Sequence, residues 1–281
     1  MRVAIIGAGK AGRALGRLAR RAGYAIGPVV CRTRAHAEAA AAFIGAGEPG
    51  AEPIGAELTL LAVPDEAIPR VAASLKLPPR AVVAHTCGTH GAAVLRPCRP
   101  AGALHPLRSF ADPGRAVEAF RGTFCAVDGD PDAVRALEAF VRRIGGRPLR
   151  VRSGRKALYH AGAVFASNYV VAVLDAALSL FQRAGLARDE AVEALAGLAG
   201  GTVANVRAVG LPDALTGPIE RGDAATVGRH LDALRRHAPG LTELYARLGR
   251  RTVGIARAKG TLGRSAAGRL QAALAAAEGR R

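Results

Sequence analysis

Three glycines with the spacing GxGxxG follow a short apolar segment at the start of the chain and precede a helical pattern. In this arrangement Gly7 allows a tight turn, Gly9 lets a pyrophosphate approach the backbone, and Gly12 lets the helix pack closely on the strand. The unpaired N–H groups of the first helical turn, which includes Lys10 and Ala11, would bind the phosphates. The motif therefore predicts a dinucleotide cofactor, with a glycine-rich turn that binds nothing as the alternative.

An arginine pair stands where such sites select between NAD and NADP. NAD-binding domains carry an acidic residue about 20 positions beyond the glycines, which binds the ribose 2′-hydroxyl. This chain has Arg32, Thr33 and Arg34 there, and no carboxylate before Glu38. Guanidinium and hydroxyl groups suit a 2′-phosphate, so we predict NADP (NADPH) as the cofactor. Because arginine is abundant throughout the chain, an arginine without a role is the alternative.

Two further strand ends are expected to line the same cofactor pocket. Ligands of open parallel sheets bind at the carboxyl ends of the strands. Val63 and Pro64 end one predicted strand, and Thr86 ends the next. We therefore place all three residues beside the cofactor.

The second of these strand ends also carries side chains that are able to bind zinc, namely His85, Cys87 and His90. Their spacing, HxCxxH, is not that of a usual finger or catalytic site, and no further ligand lies close in the sequence. We therefore predict no metal site here, and a turn that lines the cofactor pocket.

Lys156 and His160 are the candidates for proton transfer. Hydride transfer to a carbonyl leaves negative charge on its oxygen, so a proton donor must lie nearby. Lys156 begins a predicted long helix, His160 follows one turn later, and Ser167 and Asn168 lie two turns further on roughly the same face. We assign the last two, with His105 at another strand end, to substrate binding. A solvated lysine and structural histidines are the alternatives.

Strand and helix patterns alternate in the first half of the chain. Short apolar runs without alternation predict strands at 2–6, 26–31, 58–63, 81–86, 102–105, 123–127 and 147–151. Helices are predicted at 11–21, 35–43, 66–75 and 131–144, and then at 156–184, 188–198, 202–209, 224–236, 241–259 and 265–277. This order predicts an α/β fold, with a Rossmann-type, doubly wound, mostly parallel sheet over 1–152 and an all-α domain over 153–281.

The composition of the chain indicates which partners and which cellular compartment to expect. The chain has 281 residues and a formal charge of +18, but only four of its 40 basic residues are lysine, so the charge reflects arginine spread over the whole chain. We therefore predict no nucleic-acid partner. We found no apolar run of the ~20 residues that span a bilayer, and no signal peptide. These observations, with four scattered cysteines, predict a cytoplasmic protein with reduced thiols and no membrane association.

Several segments together resemble a known family. The chain is similar to Rossmann-like oxidoreductases with a helical C-terminal domain of unknown function, which are related to pyrroline-5-carboxylate reductase, ketopantoate reductase and the 3-hydroxyisobutyrate and 6-phosphogluconate dehydrogenases. The matching segments are 7–12, 61–65, 85–88, 102–107, 156–168 and 215–223. In the related dehydrogenases a lysine on the helix after the sheet donates a proton and an asparagine four residues later orients the substrate. Here Lys156 matches, but His160 replaces the asparagine.

This resemblance implies an NADPH-dependent reductase of a small, acidic carbonyl compound of the 2-oxo acid type, with Lys156 as the proton donor. A cyclic imine reductase of the pyrroline-5-carboxylate type is the close alternative, and a non-catalytic NADP-binding regulatory protein is another. A long helix after a dinucleotide domain is also typical of a dimer core, so we expect a homodimer through the C-terminal helices. The site is then expected where the two domains meet.

Overall fold

The structure, a computed structural model, describes residues 1–50 and 52–278. These residues group into two compact units, Met1–Asn168 and the residues from Tyr169 onward. The first unit contains one eight-stranded sheet with helices between its strands, and the described part of the second unit is helical. The predicted fold class, a mostly parallel doubly wound sheet followed by a helical region, is confirmed.

The sheet has a strand order that creates a ligand crevice. Its strands are β1 (Arg2–Ile6), β2 (Ala25–Val30), β3 (Glu48–Gly50), β4 (Leu58–Leu61), β5 (Val82–His85), β6 (Ala101–Pro106), β7 (Phe124–Gly129) and β8 (Arg147–Arg150). They lie in the order β3-β2-β1-β4-β5-β6-β7-β8, and only the β6–β7 pair is antiparallel. The chain reverses its direction of travel across the sheet between β1 and β4. Such a switch point opens a crevice at the carboxyl ends of the strands.

The central strands are covered on both faces. Every residue of β4 and of β5 is buried, including the polar Thr59 and His85. This burial explains why their sequences show continuous apolar runs without alternation. It also fixes the positions from which the loops after β4 and β5 start.

The described part of the first unit contains six α-helices. They are α1 (Lys10–Arg21), α2 (Arg34–Ile44), α3 (Ile68–Ala73), α4 (Pro113–Glu118), α5 (Pro131–Arg143) and α6 (Lys156–Ala166). The sequence analysis missed β3 and α4, because the first is a Glu-Pro-Gly segment with the composition of a turn and the second has only six residues. The helix predicted over 66–75 begins instead as a 3₁₀ turn at Asp65–Ala67.

Two helix predictions in the second half are wrong. The single helix predicted over 156–184 ends at Ala166 and resumes at Asn168, because Ser167 has φ −130° and ψ −73°, outside the helical region. The two helices predicted over 188–198 and 202–209 form one, since each glycine in a helix costs only about 1 kcal/mol and does not have to end it. The second unit thus contains α7 (Asn168–Arg183), α8 (Arg188–Val209), α9 (Ala224–His237), α10 (Thr242–Lys259) and α11 (Arg264–Glu278).

Helices α6, α7 and α8 leave most of their apolar side chains exposed. The buried residues are Lys156 in α6, Leu178 in α7, and Ala191 and Leu195 in α8. Large apolar side chains more than 60% exposed are Leu158, Phe165, Val171, Leu198, Val203 and Leu211. By length and composition alone, the stretch Lys156–Arg183 (mean hydropathy 1.7) could cross a membrane, contrary to the prediction that no apolar run reaches the length needed to span a bilayer. Only 6% of the most apolar part of this stretch is buried, and an exposed apolar surface of this kind is typical of an interface with a protein or a membrane.

Candidate functional site

The turn between β1 and α1 places its three glycines in three different environments. Gly7 has φ +84°, and a Cβ there would lie 2.5 Å from Val63 Cγ1, so only glycine fits. A Cβ on Gly12 would lie 2.7 Å from the Gly7 carbonyl oxygen, so Gly12 keeps the helix against the turn. A Cβ on Gly9 would meet nothing within 4 Å. Gly9 is the N-cap residue of α1 and no side chain caps this helix, so its first N–H groups adjoin open space.

A cleft of about 710 Å³ occupies that space. Its wall includes the glycine turn, Val63 and Pro64 after β4, the basic residues Arg13, Arg32 and Arg70, and the acidic residue Glu66. The lining therefore carries more positive than negative charge beside a helix N-terminus, which suits a polyanion. We refer to it as the glycine-turn cleft.

Of the two arginines predicted to select NADP, the structure places only Arg32 in the wall of this cleft. Arg34 instead forms an exposed ion pair with Glu38, with Nε 2.9 Å from Oε1. The hydroxyl of Thr33 caps α2 by accepting a hydrogen bond from the backbone N–H of His36 at 3.3 Å. The imidazole Nδ1 of His36 lies 2.9 Å from that hydroxyl, and both side chains are exposed.

Four other predicted cofactor residues, Lys10, Ala11, Gly12 and Thr86, lie outside the wall of the glycine-turn cleft. Lys10 and Ala11 begin α1, and the Lys10 side chain is exposed. Thr86 follows β5, where its backbone N–H donates to the Leu61 carbonyl at 3.0 Å. In this structure Lys10 and Ala11 form the first turn of α1, and Thr86 begins the loop after β5.

A compact group of polar side chains lies at the carboxyl edge of β5 and β6. It comprises His105 on β6 and Lys156, Tyr159 and His160 on α6, and we call it the polar cluster. His105 Nδ1 lies 2.9 Å from the Tyr159 hydroxyl, and the His105 and His160 ring centroids are 5.7 Å apart. The Lys156 Nζ lies 5.7 Å from the centre of the Tyr159 ring. Gly88 lies against both imidazoles, since a Cβ there would be 2.3 Å from His160 Cδ2.

Lys156 is only 2% exposed, and its Nζ has no hydrogen-bond partner among the described residues. Burial lowers the pKa of Lys156, although the electrostatic influence of the nearby Asp128 opposes this change. Burial also lowers the pKa of His105 to about 4, with the nearby Lys156 adding to the effect, and raises the pKa of Tyr159 to about 12. The neutral forms of His105 and Tyr159 are therefore favoured at pH 7, and the buried amine of Lys156 lies beside them.

The turn after β5 connects the polar cluster to the cofactor cleft. His85 is fully buried, accepts a hydrogen bond from the Cys87 N–H at Nδ1 (3.2 Å) and donates from Nε2 to the Gly91 carbonyl (3.2 Å). Burial lowers the pKa of His85 to about 4, in keeping with this neutral tautomer. The Cys87 thiol lies 2.9 Å from Asp65, which directly follows Pro64 of the cleft wall. His85 thus braces the turn and has no ring nitrogen left for a ligand.

The two substrate-binding residues predicted at the end of the helix are placed differently from expectation. Ser167 and Asn168 are exposed, and the helix that begins at Lys156 ends before them. Helical spacing therefore does not run without interruption from Lys156 to Ser167 and Asn168, and their part in substrate binding stays a prediction.

The sequence analysis missed Tyr159, Gly88, Asp65 and Asp128. Tyr159 lies three residues after Lys156, at a spacing that shares a helix face, so this signal was available. Asp128 lies on β7 and Asp65 in the turn after β4, and only the fold brings Asp128 near Lys156 and Asp65 near His105.

Two family profiles cover most of the chain. Residues 1–108 match a Rossmann-like domain, and residues 123–252 match a domain of unknown function, DUF2520. The two matched regions follow one another along the chain, which agrees with the resemblance drawn from its motifs. None of the curated proteins matches the chain.

Solved structures share the fold over almost the full length. A protein from Thermotoga maritima is 24% identical, with a TM-score of 0.73 over 92% of this chain and 99% of its own. A Bacteroides fragilis protein, provisionally described as an NADP oxidoreductase, is 22% identical, with a TM-score of 0.73 over 90% and 98%. A 1-pyrroline-5-carboxylate reductase from Streptococcus pyogenes is 16% identical, with a TM-score of 0.64 over 92% and 98%. At these identities the likeness shows the fold.

Proposed function

We propose that this protein is an NADPH-dependent reductase of a small carbonyl compound that carries a carboxylate, and that Lys156 donates the proton. The observation that carries this proposal is the buried Lys156 amine, which lacks a hydrogen-bond partner among the described residues and lies in the unit that holds the glycine-turn cleft. An unsatisfied buried donor costs about 1–3 kcal/mol. A ligand oxygen bonded to Nζ would remove this cost.

The residues of the cleft fit the cofactor. The open side of Gly9 leaves room for a pyrophosphate at the N-terminus of α1, and Arg32 would bind the ribose 2′-phosphate. Bound NADPH would supply the hydride. A Plasmodium falciparum pyrroline carboxylate reductase that shares this fold, at 12% identity and a TM-score of 0.60, was solved with NADP bound, which agrees with the proposed cofactor.

Lys156 is suited to acid catalysis because burial has lowered its pKa, which makes the ammonium a stronger acid than an exposed lysine. As negative charge develops on a substrate oxygen, Nζ would hold and then transfer a proton to it. Neutral His105, hydrogen-bonded to Tyr159, has Nε2 left to orient the substrate. His160 lies beside it and would take part in the same contact.

The same positively charged, hydrogen-bond-donating surroundings favour an acidic substrate. A substrate carboxylate near Lys156 would pair with the ammonium, which would supply its counter-charge. A cyclic imine acid would meet the same requirement, with the proton going to nitrogen. The fold shared with pyrroline-5-carboxylate reductases makes this second substrate class worth testing beside the first.

The test is a panel of reductions followed by NADPH absorbance with the full chain. It contains 2-oxo acids, neutral ketones and 1-pyrroline-5-carboxylate. We expect turnover of an acidic substrate, and a loss of about 10²–10⁴-fold in kcat for Lys156→Met. Lys76→Met is the matched control, because Lys76 forms an exposed ion pair with Glu52. Coenzyme binding without turnover of any compound would contradict the reductase and favour the non-catalytic alternative.

Cofactor selection is tested by comparing two arginine variants. Loss of a charge-assisted bond costs about 1.5–3 kcal/mol, so Arg32→Ser should raise the NADPH KM about 10- to 100-fold with little change for NADH. Arg34→Ser should have a smaller effect, because Arg34 pairs with Glu38. Equal effects of the two variants would show that the cleft wall does not decide the cofactor.

We also propose that a second copy of the chain covers the exposed apolar surface of α6, α7 and α8. Leu198 and Val203 on α8 are each 67% exposed, and a monomer seldom leaves so many large apolar side chains in water. Sedimentation should show a dimer that Val203→Glu weakens, whereas Leu244→Glu on α10 should not. A wild-type monomer without detergent would refute the dimer, and partition into lipid vesicles would identify a membrane as the cover instead.

A further inference from the structure

We propose that Asp65, Cys87 and His90 form a binding site for a divalent cation of the zinc class. The structure gathers three ligand atoms, a carboxylate oxygen, a thiol sulfur and an imidazole nitrogen, within 4.8 Å of one another. This set differs from the one that the sequence suggested, since His85 is withdrawn into the fold and Asp65 enters from the neighbouring strand end. The proposal is independent of the proposed function.

The geometry is close to that of a tetrahedral site. With bonds of about 2.0–2.3 Å, zinc holds its ligand atoms about 3.5 Å apart. Cys87 Sγ and Asp65 Oδ2 are 2.9 Å apart, and all three ligand atoms lie within 4.8 Å. The required movements are about 1 Å, and Asp65 and His90 are exposed side chains that rotate without disturbing the core.

The thiol is held as a ligand would be. Cys87 Sγ accepts hydrogen bonds from the backbone N–H groups of Thr89 (3.3 Å) and His90 (3.4 Å) and lies 3.0 Å from the Thr89 hydroxyl. N–H donors of this kind stabilise the thiolate that binds metal. His85 fixes the turn by accepting a hydrogen bond from the Cys87 N–H, in the way that residues hydrogen-bonded to metal ligands hold those ligands in position.

Binding would exchange a proton for the ion. The Cys87 S–H bond breaks, the sulfur keeps the electron pair and forms the metal–sulfur bond, and the proton goes to solvent. Three protein ligands leave a fourth position for water, as in zinc sites that are open to ligands. Sulfur and imidazole ligands select zinc or cobalt over magnesium and calcium.

The experiment uses the untagged full chain, without coenzyme or substrate, and Co²⁺ as the probe. We expect one equivalent to bind, with a sulfur-to-cobalt charge-transfer absorption, and Zn²⁺ to displace it with release of about one proton per ion. Cys87→Ser should abolish the absorption. Asp65→Asn and His90→Gln should each weaken binding at least about tenfold, since even outer partners contribute that much.

Cys31→Ser is the thiol control and His237→Gln is the imidazole control, because neither residue belongs to the trio. Circular dichroism without metal reports whether each variant folds. If Cys87→Ser fails to fold, the two exposed-residue variants still decide the question. Absence of the charge-transfer band in the wild type, its survival in Cys87→Ser, or affinities unchanged in both Asp65→Asn and His90→Gln would overturn the site.

Discussion

Replacing His105 should remove a defined part of the acid sensitivity of this protein. Burial lowers the pKa of His105 to about 4 in the folded chain, against 6.5 for the free side chain. Between these values the unfolded chain binds a proton that the folded chain refuses. The stability that depends on neutral His105 is therefore complete above pH 6.5 and is lost as the pH falls toward 4.

The magnitude follows from the two pKa values. At pH 5.0 the unfolded side chain gains about 2 kcal/mol from protonation while the folded one gains about 0.1, at 1.36 kcal/mol per pH unit. At pH 7.5 both gains are close to zero. His105 alone should thus remove about 2 kcal/mol from the free energy of unfolding between pH 7.5 and 5.0.

The assay is urea unfolding followed by far-ultraviolet circular dichroism at both pH values, with a chelator present. His105→Asn keeps a polar atom near the Tyr159 hydroxyl and cannot titrate. Its stability at pH 7.5 is expected to fall, but its further loss at pH 5.0 should be about 2 kcal/mol smaller than that of the wild type. His237→Gln is the exposed control. If His105→Asn and the wild type lose the same free energy on acidification, His105 is not buried in its neutral form.

Three further predictions concern single side chains. Gly9→Val should change the melting temperature little, because a Cβ there meets nothing within 4 Å, but its side chain should prevent NADPH binding. Gly7→Ala should instead lower the melting temperature, because Gly7 has φ +84° and no room for a Cβ. Thermal melts and coenzyme titration distinguish the two outcomes. Lys156→Met should abolish activity while it raises the free energy of unfolding by less than the about 1–3 kcal/mol expected for an unsatisfied donor alone, because the variant also removes the charge that faces buried Asp128; a gain of the full amount in urea unfolding would show that Asp128 does not depend on this charge. Lys259→Met should cost about 1–3 kcal/mol and speed amide exchange at 215–222, since Nζ binds the Leu215 carbonyl at 2.8 Å and Glu220 at 3.2 Å.

Local patterns determined the elements and the turn. The glycines at 7, 9 and 12 predicted the strand–turn–helix, because glycine is the residue that allows the positive φ at Gly7, the exposed backbone at Gly9 and the close packing at Gly12. The buried strands were recognised for the same reason, since continuous apolar runs require cover on both faces. The arginine pair was recognised as a pair, but only the fold shows that Arg32 faces the cleft while Arg34 is held by Glu38.

Contacts between distant segments decided the rest. Nothing near Lys156 in the sequence announces that its amine is buried without a partner, because that burial comes from packing against other strands. The break at Ser167 separated two residues from a face that helical periodicity had given them. Likewise, Asp65 joins Cys87 and His90 because β4 and β5 are parallel neighbours whose carboxyl ends meet, whereas His85, next to them in sequence, is turned into the core. The types of the reacting groups could be taken from the chain, but their partners, exposure and protonation depend on which strand ends lie side by side.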